Sequence, residues 1–393
     1  MRLIAGLTLS LALLGTASTP THAQEGASAP SPAVISMRRQ WLNADINSFT
    51  FRDNDRLFDS RPVKRAGPVW QLPRASGFTM PTGYDAWAEK TYTNAFLVIR
   101  DGKILFEDYR NRSDAGTRFI SFSMAKSITS MLLGIAVEQG AIKSIDDPVT
   151  AYVPELKGGG YDGVSLRHIL QMRSGVDYEE RYDFGANPSP AAVNHENAIV
   201  QNKARFADSA RTIGRKWAPG SHFNYATIDT AVLGWAIERA TQQPLAAYTQ
   251  ANLWAPLGAE ADAYWIADGP VGVGRELSGM GYNATLRDFG RLGMMMLNGG
   301  KRGNRQIVPA DWMRAATTML PTGNAERPGY GLQFWQVDKE PGAFAAVGLA
   351  GQMIYVHPAT KTVIVKLSYH PPVVPPAVNE ETLRYFKAIT DQR

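Results

Sequence analysis

The sequence predicts an α+β domain: an antiparallel sheet made from the two ends of the chain, flanked by helices, with a helical insertion between them. Three observations predict it. "AFLVIRDGKILFEDY" sets Asp101-Gly102 between two β-rich runs, a strong short-range hairpin signal. "QMIYVHPATKTVIVKLSYH" reads as two more strands about a turn at Pro358. Between these ends lie helical patterns separated by Pro/Gly-rich loops, the order expected of an α+β domain closed by its own termini.

The elements follow in chain order. Residues 1–23, "MRLIAGLTLSLALLGTASTPTHA", carry one positive charge, an apolar run and small residues ending at Ala23. That layout predicts a cleavable secretory signal, too short for a good membrane span. The mature protein is therefore expected to be exported, with the bacterial periplasm as its compartment and no membrane insertion after cleavage. Residues 24–84 read as a small-residue, Pro-rich leader followed by an irregular N-terminal wrap. Residues 85–160 and 271–393 supply the α/β domain, and 161–270 a mostly helical insertion carrying "VSLRHILQM" and "TIDTAVLGWAIERATQQPLAAYTQANLW". "TLRDFGRLGMMMLNGG" is a further helix stopped by Gly299-Gly300, its methionine run suited to core packing. "NEETLRYFKAIT" closes the chain as an amphipathic helix.

Composition excludes several classes. The 393 residues are 44% hydrophobic and 20% charged, ordinary for a globular protein. The formal charge of +5 falls to +4 without Arg2, and short basic pairs such as Arg38-Arg39 and Lys301-Arg302 are scattered. This is no nucleic-acid footprint. Cysteine is absent, which removes disulfides, thiolate chemistry and lipid attachment at the cleavage site. No G-x-S-x-G, H-E-x-x-H, phosphate loop or dinucleotide fingerprint occurs. No metal or organic cofactor is expected.

The chemistry centres on "SFSMAKSITSMLLGIAVEQG", residues 121–140. Ser123 and Lys126 stand three apart at the polar start of an apolar helix, a spacing that lets their side chains meet. Unpaired N–H groups of the first turn favour a developing oxyanion. The same field and burial beside "MLLGIAV" lower a lysine pKa, so that the amine can take the serine proton. On this segment alone a second reading stands beside it: a serine caps the helix while Lys126 snorkels to solvent. Tyr225, after a Pro-Gly turn and before another apolar helix, either relays a proton in a cleft or packs at its rim. "AAVGLAGQMIYVHP" brings Gly348 and Gly351 to a strand start, where the Gln352 and Ser123 N–H groups would form a two-donor oxyanion hole, or where the chain simply bulges.

These segments, in this order, resemble the serine β-lactamase and penicillin-binding-protein superfamily. The nearest branch is that of class C-like esterases and 6-aminohexanoate-dimer (nylon-oligomer) hydrolases. The resemblance runs from about Asn94 to the C-terminus. It includes "FSMAKSITSMLLG", "FNYATIDTAVLGWAIERAT", "LWAPLGAEADAYW", "SGMGYNATLRDFGRLGMMMLNGG" and "PGYGLQFW". It implies a β-lactamase/transpeptidase-like fold and an acyl-enzyme mechanism with Ser123, Lys126 and Tyr225, acting on a small ester or amide. It also makes Tyr178, Tyr182, Asn283, Trp335 and Gly351 candidates for substrate contact, beside the acids Glu179, Glu180 and Asp183 of the same loop.

Two departures narrow the expectation. Where the family commonly has Tyr-x-Asn, this chain has Tyr225-Ala226-Thr227. Where it has a cation, Thr and Gly, this chain has Leu349-Ala350-Gly351. Leu349 cannot hold a carboxylate, so esters and linear amides are favoured over β-lactams. The alternatives are a D-amino-acid peptidase or weak β-lactamase, and a catalytically silent peptidoglycan-binding relative.

Overall fold

A computed structural model describes residues 30–181, 185–325, 327–375 and 377–392. The expected signal and the start of the leader lie outside these residues, as do Tyr182 and Asp183. Among the described residues no helix is long and apolar enough to cross a membrane.

The strands in chain order are β1 (Ser60–Val63), β2 (Thr93–Arg100), β3 (Lys103–Tyr109), β4 (Phe119–Ile120), β5 (Ala263–Ile266) and β6 (Tyr282–Ala284). A small ribbon of β7 (Lys301–Arg302) and β8 (Arg305–Gln306) follows. Then come β9 (Leu320–Pro321), β10 (Gly329–Tyr330), β11 (Trp335–Gln336), β12 (Phe344–Gly348), β13 (Gln352–His357) and β14 (Thr362–Ser368). The main sheet has the order β3-β2-β14-β13-β12-β11-β10-β9, and every pairing in it is antiparallel. The hairpin at Asp101-Gly102 joins β2 to β3, both turn residues having positive φ (47° and 76°), as a type I′ turn requires. β14 is buried along its whole length and pairs β2 with β13, so the two ends of the chain do meet in one sheet.

Helices cover both faces of this sheet. On one side the helix Leu286–Leu297 presses its glycines to the strands: a Cβ on Gly290 would lie 2.6 Å from Leu97, and one on Gly293 2.5 Å from Val363. Met294, Met295 and Met296 are core residues there. On the other side Trp87 and Phe386, from the helices Tyr84–Lys90 and Ala377–Thr390, pack with Phe96 and Tyr355.

The N-terminal segment differs from the irregular wrap expected. Pro32–Arg39 is a helix with Ser31 as its N-cap, so the leader gives way to structure before residue 35. β1 pairs with β5, within a second sheet of order β1-β5-β6-β4. Ser-Arg-Pro-Val is too short to show a period of two, and its partner lies about two hundred residues away, so no local pattern announces it. The boundary drawn at residue 270 also falls between β5 and β6, which pair with each other. The insertion and the α/β part share that sheet.

Candidate active site

The site forms where the helices Met124–Glu138 and Thr227–Thr241 begin, beside the turn between β12 and β13. The nucleophile turn is held before the helix starts. The Ser121 N–H donates to the Tyr282 carbonyl at 2.7 Å, continuing the β4–β6 pairing. Phe122 then takes a left-handed backbone (φ 42°), costly for an aromatic residue. Its ring lies against Phe51 (4.9 Å) and Trp41 (5.1 Å), so the N-terminal segment braces the strained residue that precedes Ser123. The helix that follows buries thirteen of its fifteen residues, and Gly140 (φ 74°) turns the chain away after its end.

Ser123 stands at the N-cap position but its side chain makes no capping bond. Lys126 is 1% exposed, so a cap with a snorkelling lysine does not describe this helix. Lys126 Nζ lies 2.9 Å from Ser123 Oγ, 2.9 Å from Thr227 Oγ1 and 2.9 Å from the Gly279 carbonyl. As an ammonium it donates to all three. Burial pushes its pKa down to about 8, against the opposing pull of the Glu180 and Asp229 carboxylates. The amine thus loses its proton within reach of neutral pH.

Tyr225 comes into place because the loop before its helix is tied to Met172, whose carbonyl accepts from Asn224 N–H at 2.8 Å. Its ring sits 5.0 Å from Lys126 Nζ and 5.4 Å from the Trp335 ring. Burial raises its phenol well above the usual range, opposed by hydrogen bonding with Ser123. It therefore stays a neutral proton donor facing the serine. Trp335, from β11, forms the wall behind it together with Phe223 and Tyr330.

Gly348 explains how β12 can lie against the nucleophile. A Cβ there would come 2.2 Å from the Ser121 carbonyl and 3.2 Å from Ser123 N. Gly348 pairs with Gln352 across the turn, so the Gln352 and Ser123 backbones meet around one glycine. In that turn Ala350 and Gly351 both have positive φ (58° and 83°), and His370 fills the space a Gly351 side chain would need. The Gln352 side chain clamps the turn to β14 through both Ser368 backbone groups, at 2.7 and 3.0 Å.

The remaining sequence candidates separate. Tyr178 is 3% exposed in the main core. Asn283 is fully buried, its Nδ2 donating to the Gly281 carbonyl and its Oδ1 accepting from Asn54. Glu180 comes into the site, with Oε1 accepting from Thr227 Oγ1 at 2.5 Å and Oε2 accepting from Thr227 N–H at 2.8 Å. Sequence reasoning treated Thr227 only as a missing asparagine. It also passed over Gly279, Asp229 and Gln333. Gln333 accepts from Ser127 Oγ on its carbonyl and from Thr230 Oγ1 on its side chain, joining the two helices beneath the site.

An activated Ser–Lys pair beside a neutral tyrosine and a glycine-lined backbone turn is suited to acyl transfer. The family model described as Beta-lactamase matches residues 86–386. The 6-aminohexanoate-dimer hydrolase of Paenarthrobacter ureafaciens is 31% identical over 371 residues, covering 88% of this chain and 90% of that protein. Esterase EstB of Burkholderia gladioli is 30% identical over 179 residues, 41% of this chain and 44% of its own. Among solved structures, "Putative 6-aminohexanoate-dimer hydrolase from Bacillus anthracis" superimposes with a TM-score of 0.79 over 92% of this chain and 97% of that one, at 22% identity. A penicillin-binding protein from Bacillus halodurans gives 0.62 over 78% and 99%, at 16% identity. Fold, family match and relatives converge on one conclusion: the chain belongs to the beta-lactamase family, with its β-lactamase/transpeptidase-like fold, and is a serine hydrolase.

Proposed function

We propose that this enzyme cleaves small esters or linear amides through an acyl-enzyme on Ser123, and that it works as an exported protein. The carrying observation is the 2.9 Å approach of Ser123 Oγ to a buried lysine whose pKa is about 8. Neutral Lys126 accepts the serine proton as Oγ bonds to the substrate carbonyl carbon. The oxyanion forms against the Ser123 and Gln352 N–H groups. Tyr225, exchanging its proton with Lys126, protonates the leaving nitrogen or oxygen as its bond to carbon breaks. Water then adds to the acyl carbon and gives its proton to Lys126. Ser123 recovers a proton as the acid departs.

The substrate class rests on what borders the nucleophile. Leu349, 43% exposed, stands where the family commonly has a carboxylate-binding cation, while Arg327 lies 5.1 Å over the Trp335 ring and Arg173 5.9 Å over Phe223. The loss of a cation at position 349 favours esters and linear amides over β-lactams. Export rests on the signal-like residues 1–23, and N-terminal sequencing of the secreted protein tests it. For the chemistry, intact-mass spectrometry after a fluorophosphonate probe is compared with Ser123→Ala, alongside p-nitrophenyl esters and a linear amide dimer. One adduct, lost in Ser123→Ala and accompanied by ester turnover, is the expected result. Folded protein with neither adduct nor turnover overturns the proposal in favour of a binding role.

A further inference from the structure

We infer that Glu180 is a positioning residue: by orienting the Thr227 hydroxyl it leaves the lone pair of Lys126 aimed at Ser123. The inference rests on the proposal that neutral Lys126 is the base. A neutral amine has two hydrogens and one lone pair, but Lys126 Nζ has three oxygen neighbours, each at 2.9 Å. The Gly279 carbonyl can only accept, and takes one hydrogen. Thr227 Oγ1 could donate or accept. Its single hydrogen is claimed by Glu180 Oε1 at 2.5 Å, a carboxylate oxygen that can only accept. Thr227 must therefore accept from Lys126, which uses the second amine hydrogen. The lone pair is left for Ser123, whose own hydrogen then points to it.

Glu180 is held in this position by the helix it meets. Its Oε2 accepts the Thr227 N–H at 2.8 Å, from the first residue of the helix Thr227–Thr241, where the helix field favours an anion. The groups facing Lys126 are Glu180, Asp229 and the Tyr225 ring. Glu180 therefore has a second, purely electrostatic effect, and that effect has the opposite sign. Removing its charge alone lowers the Lys126 pKa and increases activity near neutral pH. Reversing the Thr227 hydroxyl lowers activity.

Glu180→Gln separates the two effects. Its carbonyl can hold the Thr227 N–H, but its NH2 must then donate to Thr227 Oγ1. The threonine hydrogen turns toward Lys126 and occupies the lone pair. On a p-nitrophenyl ester we expect kcat/KM to fall by about 100-fold or more, on the scale of a lost general base. In a Thr227→Val background there is no hydroxyl to reverse, and Glu180→Gln should cause no loss and raise kcat/KM at pH 7 by up to about threefold. Equal losses in the two backgrounds would overturn the inference, as would a gain at pH 7 from Glu180→Gln alone. Circular dichroism and Tm establish that each variant is folded. If Glu180→Gln is not, Glu180→Ala repeats the cycle, with a larger loss required in the threonine background than in the valine one. Fluorophosphonate labelling of the wild type on Ser123, lost in Ser123→Ala, is measured in parallel. Its failure would count against the acyl-enzyme, whereas its success with equal losses counts against Glu180 alone.

Discussion

The helices Met124–Glu138 and Thr227–Thr241 have the same length and both start at the site. Each carries one buried ionisable side chain at its third residue: Lys126 in the first, Asp229 in the second. The field at a helix N-terminus disfavours a cation and favours an anion, so it should push the two groups in different senses. It should neutralise the lysine and keep the aspartate charged. The structure moves both toward neutrality. Lys126 falls to about 8 and Asp229 rises to about 7, with burial the largest cause in each case. Each charge also favours ionisation of the other, and that attraction does not prevent the shifts. Burial outweighs the pairing at both groups, and at Asp229 it acts against the helix field as well. In the proposed mechanism the base near neutral pH comes from placing a lysine where it is only 1% exposed.

The largest expected effect comes from breaking the lysine side of this comparison. Lys126→Ala should reduce kcat/KM by about 10³-fold, within the range for general-base removal. Lys126→Arg should fare no better, because a guanidinium keeps its proton at any working pH. Activity in Lys126→Arg within tenfold of wild type would show that a cation, not a base, is needed. In the proposed mechanism the active form of the wild type is the neutral amine, so kcat/KM should rise with pH and level off above about 8. A flat profile from pH 6 to 9 on a neutral ester would remove the titrating lysine from the mechanism.

How much of this was legible before the fold was known depends on the distance between partners. Ser123 and Lys126 lie three apart at one helix start, a spacing that lets them meet, and the order of the motifs selected that reading over a capping serine with an exposed lysine. The hairpin at Asp101-Gly102 was readable for the same reason, its turn residues adjoining its strands. Tyr225 and Gln352 carry no such local geometry and came from the order of motifs. Thr227 and Glu180 meet across a 47-residue separation, and Gln333 reaches Thr230 across 103. Nothing in the chain near either end announces those bonds. The β1–β5 pairing and the brace of Trp41 on Phe122 were hidden in the same way.

A smaller effect should follow from loosening the two helices from each other. Gln333 is 1% exposed, accepts from Thr230 Oγ1 at 2.7 Å and donates to the Leu170 carbonyl at 2.8 Å. Gln333→Leu fills the space but leaves both partners unpaired in the interior. Each orphaned group costs about 1–3 kcal/mol, so urea unfolding should show a loss of roughly 2–6 kcal/mol. Turnover should drop about tenfold as the two helix ends separate, the sensitivity expected of a preorganised site. A full loss of stability with unchanged kcat/KM would mean that the helix ends are aligned by other contacts.

The smallest effect on turnover should come from the aspartate, and it sharpens the comparison most. Asp229 accepts from the Tyr161 hydroxyl at 2.6 Å, a bond that an amide oxygen can also accept. Because its folded pKa is raised from 3.8 to about 7, the folded state holds this proton more tightly than the unfolded chain. Its contribution to stability is therefore full below pH 4 and is lost as pH rises toward 7, by roughly 4 kcal/mol at 1.36 kcal/mol per pH unit. Asp229→Asn removes that loss, so its stability relative to wild type should grow between pH 4 and 8. The carboxylate also raises the Lys126 pKa. Without it the acid limb of kcat/KM should move to lower pH, and the rate at pH 7 should rise by about two- to threefold for a shift of a few tenths of a unit. A limb displaced to higher pH would mean that Asp229 helps to neutralise the lysine, and burial would no longer suffice to explain the base.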